Sequence, residues 1–245
     1  MMMMVIHRLR VLPLHQLIPR RYLQFSGIQS CQEYLDYCLS NSINTGSTVF
    51  KGTLYELYVK SFLEQQLHCT DLVKYGGSYD NGVDVIGRWN LLPYYDEAQV
   101  KKLGSKSILK YSQESAFNTS KSPISLANDV QVLVQCKNFK KKPDAKIIRE
   151  LSGILDFHKF SKKSTVMFIA TPLPCTPQAI TQLDNTKHAI IHLMISSLVN
   201  SESESDNFFA LDTWTGGKLN DVYMNRQARA LLSGLNLEQQ LKYIG

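Results

Sequence analysis

The stretch VQVLVQCKN, Val130–Asn138, decides how this chain folds. Side chains alternate across a strand, so Val130, Val132, Val134 and Cys136 share one face while Gln131, Leu133, Gln135 and Lys137 share the other. Cys136, a small and soft apolar side chain, completes the valine face. Gln135 and Lys137 then stand together at the end of an otherwise apolar strand, where an amide and an ammonium need partners.

Upstream, a run at Leu72–Tyr75, the turn-rich GGSYDNG of 76–82 and VDVIGRW after it read as two antiparallel strands, with Asn81-Gly82 suited to a tight turn. Asp84 sits between Val83 and Val85, and a carboxylate flanked by β-branched residues is costly unless it is paired or bound to a cation. Before the hairpin, Thr48–Leu67 carries Phe50, Leu54, Leu57, Tyr58 and Phe62 at helical spacing, with Ser47 or Thr48 as N-cap and Glu56 beside the stripe. Residues 89–129 keep no sustained period and read as an insertion in a hairpin.

Downstream, Lys146–Phe160 places Ile147, Leu151, Ile154, Leu155 and His158 on one helical face. STVMFIAT and HAIIHLMI are continuous apolar runs, as in strands covered on both faces, and PLPCTPQAITQL between them reads as a loop entering a short helix. FFALD, Phe208–Asp212, has strand character, and helical stretches follow around Val222–Leu232 and Leu237–Ile244. The order predicts a sheet sandwiched by helices, in the α/β or α+β class. The expected domain covers 45–200, with a C-terminal strand and helical extension over 201–245.

The 245 residues suit one domain with appendages or two small ones, and the formal charge of +6 with a pI near 9.0 tilts the chain toward anionic partners. The 5 cysteines include no C-x-x-C pair and no histidine placed to complete a local metal cluster, so neither a structural zinc site nor a disulfide framework is indicated. No apolar run reaches the length of a bilayer span. Residues 1–30 contain no Asp or Glu, while Arg8, Arg10, Arg20 and Arg21 lie among apolar residues. This reads as a mitochondrial transit peptide, with a disordered basic arm as the alternative. RRYLQFS resembles matrix-protease sites, so processing is expected near Tyr22–Ser26 and the location in the matrix.

Asp84 and the side-chain oxygen of Gln135 are hard donors of the kind Mg²⁺ prefers. A lysine at the edge of such a site can hold an attacking water and contact a phosphate, and the resulting chemistry is phosphodiester hydrolysis. The alternatives are an Asp84 satisfied by backbone amides, a solvated Glu56 and a snorkelling Lys137. After the strand, KNFKKKPDAK brings Lys140, Lys141, Lys142 and Lys146, with Arg149 one turn on, either as a solvated loop or as a phosphate-binding rim. Phe139 and Tyr79 are candidates for base contact.

The succession of a helix glutamate, GGSYDNGVDV, VQCKN, a helix and a strand running into ATPLPCTPQA resembles the PD-(D/E)XK nuclease superfamily. It is most similar to the Mrr-like, type IV restriction endonuclease branch, which has a glycine-rich turn before the metal aspartate and Q-x-K in place of E-x-K. With its acid-poor start the chain also resembles the fungal mitochondrial family Required for respiratory growth protein 7. The resemblance covers roughly Phe50–Ile195.

It implies a restriction endonuclease-like core, a central mixed β-sheet flanked by helices, and Mg²⁺ or Mn²⁺ as cofactor. Asp84 would be the principal metal ligand, Gln135 a second and the Cys136 carbonyl a third. Lys137 would position water and phosphate, Glu56 would orient water or metal, and Gln178 would contact substrate. The implied function is a DNA endonuclease serving mitochondrial genome maintenance or respiratory growth, with DNA as partner and a homodimer as a possible assembly. Two departures stand out: Gln135 carries no charge, and the insertion after Trp89 separates the aspartate widely from Q-x-K. The rival functions are a non-catalytic nucleic-acid-binding module and a structural partner that uses an exposed helical tail after Asn220.

Overall fold

The computed structural model describes residues 27–75, 82–95, 111–112, 124–157, 160–201 and 206–244. The opening stretch forms β5 (Gln131–Cys136), inside a six-stranded mixed sheet. Its partners are β2 (Val85–Trp89), antiparallel with Val85 opposite Val134, and β6 (Thr165–Thr171), parallel with Cys136 opposite Ala170. Next to β6 runs β7 (Ala189–Ile195) in parallel, and β1 (Cys69–Lys74) and β10 (Leu219–Met224) close the two edges antiparallel. The order across the sheet is β1-β2-β5-β6-β7-β10. Register shifts interrupt both edge strands, between Thr70 and Val73 in β1 and between Leu219 and Asp221 in β10. Two short pairs stand apart from this sheet: β3 (Tyr111–Ser112) with β4 (Ile124–Ser125) in parallel, and β8 (Val199–Asn200) with β9 (Trp214–Thr215) antiparallel.

The expected alternation of β5 decides the two layers. Val130, Val132, Val134 and Cys136 pack with Tyr55, Val59 and Leu63 of α2 (Thr48–Gln66), and with Ala228, Leu231, Leu237 and Leu241 of the C-terminal region. Leu133 packs on the other face, against Ile148, Leu151 and Leu155 of α3 (Ala145–Phe157) and Ala179 and Leu183 of α4 (Pro177–Asn185). These two helices are the crossovers β5-α3-β6 and β6-α4-β7, the connection that parallel strands require. Fully burying side chains of this size stabilises by about 1.5–3 kcal/mol each. Phe168 of β6, edge-on to Trp89 at 4.9 Å between ring centroids, anchors the first layer.

Several expectations are corrected. Helix α2 is buried on more than the expected stripe, because its Phe50, Leu54 and Leu57 face a further helix, α1 (Cys31–Ser40), while Tyr55, Val59 and Leu63 face the sheet. The third helix spans Ala145–Phe157 instead of Lys146–Phe160; His158 and Lys159 lie outside the described residues, and Phe160 is not helical. Asp84 immediately precedes β2.

FFALD is not a strand. It spans short 3-10 turns at Asp206–Phe209 and Leu211–Thr213, and Phe208 and Phe209 of the first join Phe50 and Trp214 in an aromatic cluster under α1. The last strand is β10, in a region expected to be helical from Val222. The tail after Asn220 is not an exposed helical surface, because α5 (Arg226–Leu231) and α6 (Leu237–Lys242) turn Ala228, Leu231, Leu237 and Leu241 into the main core. Of the insertion, the described ends are ordered around buried Leu91, Tyr94 and Leu126. The expected processing region near Tyr22–Ser26 and most of the glycine-rich turn lie outside the described residues.

Candidate active site

Because β2 and β5 are antiparallel, the start of one meets the end of the other. The Asp84 amide donates to the Val134 carbonyl at 2.8 Å, and the Tyr75 amide donates to the Asp84 carbonyl at 2.7 Å, so the residue is fixed from both neighbouring strands. Gly82 has φ of +79°, and a Cβ there would overlap Ile154 Cδ1 on α3. Only glycine lets the chain turn this close beneath the helix before delivering Asp84.

The Asp84 carboxylate is 5% exposed and Gln135 2%. The Gln135 side-chain amide donates to Asp84 Oδ2 at 2.6 Å, and the Cys136 backbone amide donates to the same oxygen at 2.5 Å. The carboxylate is thus held by a neighbouring strand end, which satisfies part of the demand created by burying it. Gln135 Oε1 is buried and has no hydrogen-bond partner among the described residues. An orphaned carbonyl oxygen next to a carboxylate is a pair of hard donors, and in this respect the residues fit Mg²⁺ or Mn²⁺. No group of three or more His, Cys, Asp and Glu side chains among the described residues is arranged to hold a metal.

On the other face of β5, burial pushes the Cys136 thiol well above its ordinary range; Asp84 and Glu56 push it further and Lys74 and Lys137 oppose them. Strand register brings Lys74 to the same end of the sheet, opposite Val85. Glu56 projects from α2 and its Oε2 lies 3.0 Å from Lys74 Nζ, with side chains 23% and 11% exposed. Lys74 is a member of the constellation that the sequence alone did not single out. It is placed by the strand register that the structure shows, in which Lys74 pairs with Val85, the residue after Asp84.

Lys137 follows Cys136 with its backbone anchored on β6, its amide donating to the Ala170 carbonyl at 2.9 Å, and its side chain half-buried. Asn138 ties the same segment to the end of β7, accepting from Ser197 Oγ at 2.7 Å. Lys140, Lys141, Lys142, Lys146 and Arg149 are exposed, and Lys146 lies 3.9 Å from Glu150. Phe139 is also exposed; Tyr79 lies outside the described residues. Gln178 is exposed in the first turn of α4, whose cap residue Thr176 donates its amide to the Pro143 carbonyl at 3.0 Å. The structure thus gathers Glu56, Asp84, Gln135 and Lys137 at one end of the sheet and does not tie Gln178 to them.

No helix among the described residues is long and apolar enough to cross a membrane. No solved structure matches the chain. The chain is similar to proteins named Required for respiratory growth protein 7, mitochondrial. The one from Vanderwaltozyma polyspora is 30% identical over 207 residues, covering 80% of each chain. Those from Kluyveromyces lactis and Saccharomyces cerevisiae are also 30% identical, covering 85% and 91% of this chain and 89% and 92% of theirs. The sequence profile of the family described as Required for respiratory growth protein 7 matches residues 47–232, from the N-cap of α2 through α5. This chain belongs to the Required for respiratory growth protein 7 family.

Proposed function

We propose that the protein is a metal-dependent DNA endonuclease of the PD-(D/E)XK type, with a restriction endonuclease-like core, acting in mitochondria in support of respiratory growth. The observation that carries the reading is the buried contact between Asp84 and Gln135, which brings together residues 51 positions apart and leaves a carbonyl oxygen unpartnered beside a carboxylate. The names of the relatives support the mitochondrial setting and the link to respiration.

Asp84 and Gln135 would hold Mg²⁺ or Mn²⁺, with the Cys136 carbonyl as a further oxygen donor. When bound, the metal supplies charge stabilisation for the phosphoryl oxygens. Lys137, anchored through its backbone to β6, holds the attacking water against the phosphate and donates to it. Glu56 sets the position of Lys74 from α2. The exposed lysines of 140–142, with Lys146 and Arg149, extend the positive surface along which a nucleic-acid backbone lies.

The test is cleavage of DNA by the full chain in Mg²⁺ or Mn²⁺. Asp84→Ala and Lys137→Ala should each lower the rate by about 100-fold or more. Cutting that survives both substitutions rules out this site. A second reading, a nucleic-acid-binding module without turnover, is favoured by the neutral Gln135 and by the tie between Glu56 and Lys74. Its signature is salt-sensitive DNA binding that Asp84→Ala leaves unchanged, with no metal-dependent cutting.

A further inference from the structure

We propose that Lys74 is a resident counter-cation of the site: by holding Glu56 it weakens metal binding to the free protein and makes metal entry depend on the negative charge of a nucleic-acid phosphate. This inference rests on the nuclease reading above and adds to it an order of binding.

Among the described residues named at the end of β5, the formal charges cancel. Asp84 and Glu56 contribute two negative charges, Lys74 and Lys137 two positive ones, and Gln135 none. A divalent cation entering such a site loses hydration without an opposing net charge to replace it. A phosphodiester supplies that charge, so cation and nucleic acid reinforce one another's binding, and the reinforcement is reciprocal.

The position of Lys74 is built. Its backbone amide donates to Gln29 Oε1 at 2.9 Å, its strand register pairs it with Val85, and the next amide, that of Tyr75, is bonded to the Asp84 carbonyl. The side chain is 11% exposed and meets Glu56 at 3.0 Å. An ammonium fixed in this way, largely out of water, is screened less by salt than a surface lysine.

The experiment measures Mn²⁺ binding to the full chain without nucleic acid, at low ionic strength, from the paramagnetic resonance signal of free Mn²⁺. Lys74→Met, which keeps length and removes charge, should tighten binding by about tenfold or more relative to the unsubstituted protein. Adding Glu56→Gln to Lys74→Met should return the affinity to its original value, because the released carboxylate is what gained the cation. Lys74→Gln serves as a second neutral variant, and circular dichroism checks that each is folded.

In a parallel measurement at constant ionic strength, Ca²⁺ should raise the affinity of the unsubstituted protein for a short DNA duplex, and Lys74→Met should shrink that factor. Mn²⁺ binding that is lost in Asp84→Ala yet unchanged in both Lys74 variants overturns the role of Lys74 and leaves the nuclease reading standing. Absence of Mn²⁺ binding in every variant, Lys74→Met included, overturns both.

Discussion

The side-chain amide of Gln135 donates to the carboxylate of Asp84 at 2.6 Å, and both residues are buried. Gln135→Leu removes this donor from a buried acid and should cost about 1–3 kcal/mol in urea unfolding. Gln135→Glu sets a second carboxylate against the first. It should lower the melting temperature at neutral pH in chelator and recover a large part of the loss in Mn²⁺, while the unsubstituted protein responds less. Equal responses of the two proteins to Mn²⁺ would contradict a cation site between these residues.

Stability should fall on mild acidification because of His192. Burial lowers this imidazole from the ordinary 6.5 to about 4, against an opposing pull from Asp221. The Thr171 hydroxyl donates to the Leu173 carbonyl, so its oxygen accepts from Nε2–H of His192, and it is burial that disfavours a second proton on the ring. The unfolded chain takes up a proton before the folded one does. The contribution is complete above pH 6.5 and is lost as pH falls toward 4. It amounts to about 3 kcal/mol at most. Urea midpoints measured across this range should slope less steeply in His192→Leu.

Position 217 should accept no side chain. Gly217 has φ of +66°, and a Cβ there would run into the Tyr58 ring. Tyr58 Oη in turn donates to the Gly217 carbonyl at 3.2 Å. Gly217→Ala combines backbone strain with overpacking and should cost about 2–4 kcal/mol, against about 1 kcal/mol for Tyr58→Phe. Denaturant titration of the two variants separates these effects.

Asn225 should be the most sensitive polar residue outside the site. Fully buried, it caps α5 by accepting from the Ala228 amide, accepts from the Ile190 amide, and donates to the carbonyls of Leu183 and His188. Asn225→Asp keeps the shape, deletes the donors and turns an anion toward two carbonyls. The expected loss is about 3–5 kcal/mol, visible as a drop in melting temperature at neutral pH.

If the exposed lysines meet phosphates, their removal should change the salt dependence of DNA binding more than any sequence preference. Every phosphate no longer neutralised lowers the slope of log affinity against log salt by about 0.9. The triple change Lys140→Ala, Lys141→Ala, Lys142→Ala tests this by fluorescence anisotropy over a salt series. An unchanged slope would mean that the run is solvated surface.

Elements with sustained patterns were legible in the sequence: α2, β6 and β7 lie close to the expected spans because each has a continuing apolar pattern, and α4 follows the expected loop. Helix α1 was hidden by the acid-poor segment before it. Its signal was nevertheless present in Ser30 and Glu33, which form a capping box on either side of the helix start. Strand β10 escaped because a register shift puts Asn220 and Asp221 side by side on the exposed surface and breaks the alternation. FFALD misled for the opposite reason: aromatic residues favour strands, but here tertiary packing under α1 claimed them for turns. In the site, alternation and hairpin order brought Asp84 to Gln135. The Lys74–Glu56 pair depends on strand register and on the rotation of α2 over the sheet, and a single sequence carries neither.

The interruptions in β1 and β10 also bear on self-association. A sheet edge with regular, open hydrogen-bonding groups is a template on which another chain can add a strand. Both outer strands are instead kinked by a shift in register, and in β1 the amide of Lys74 is already taken by the side chain of Gln29. Among the described residues the sheet has six strands, and both of its edges carry such a shift. A second copy adding a strand to either edge would meet a backbone ladder broken by these shifts.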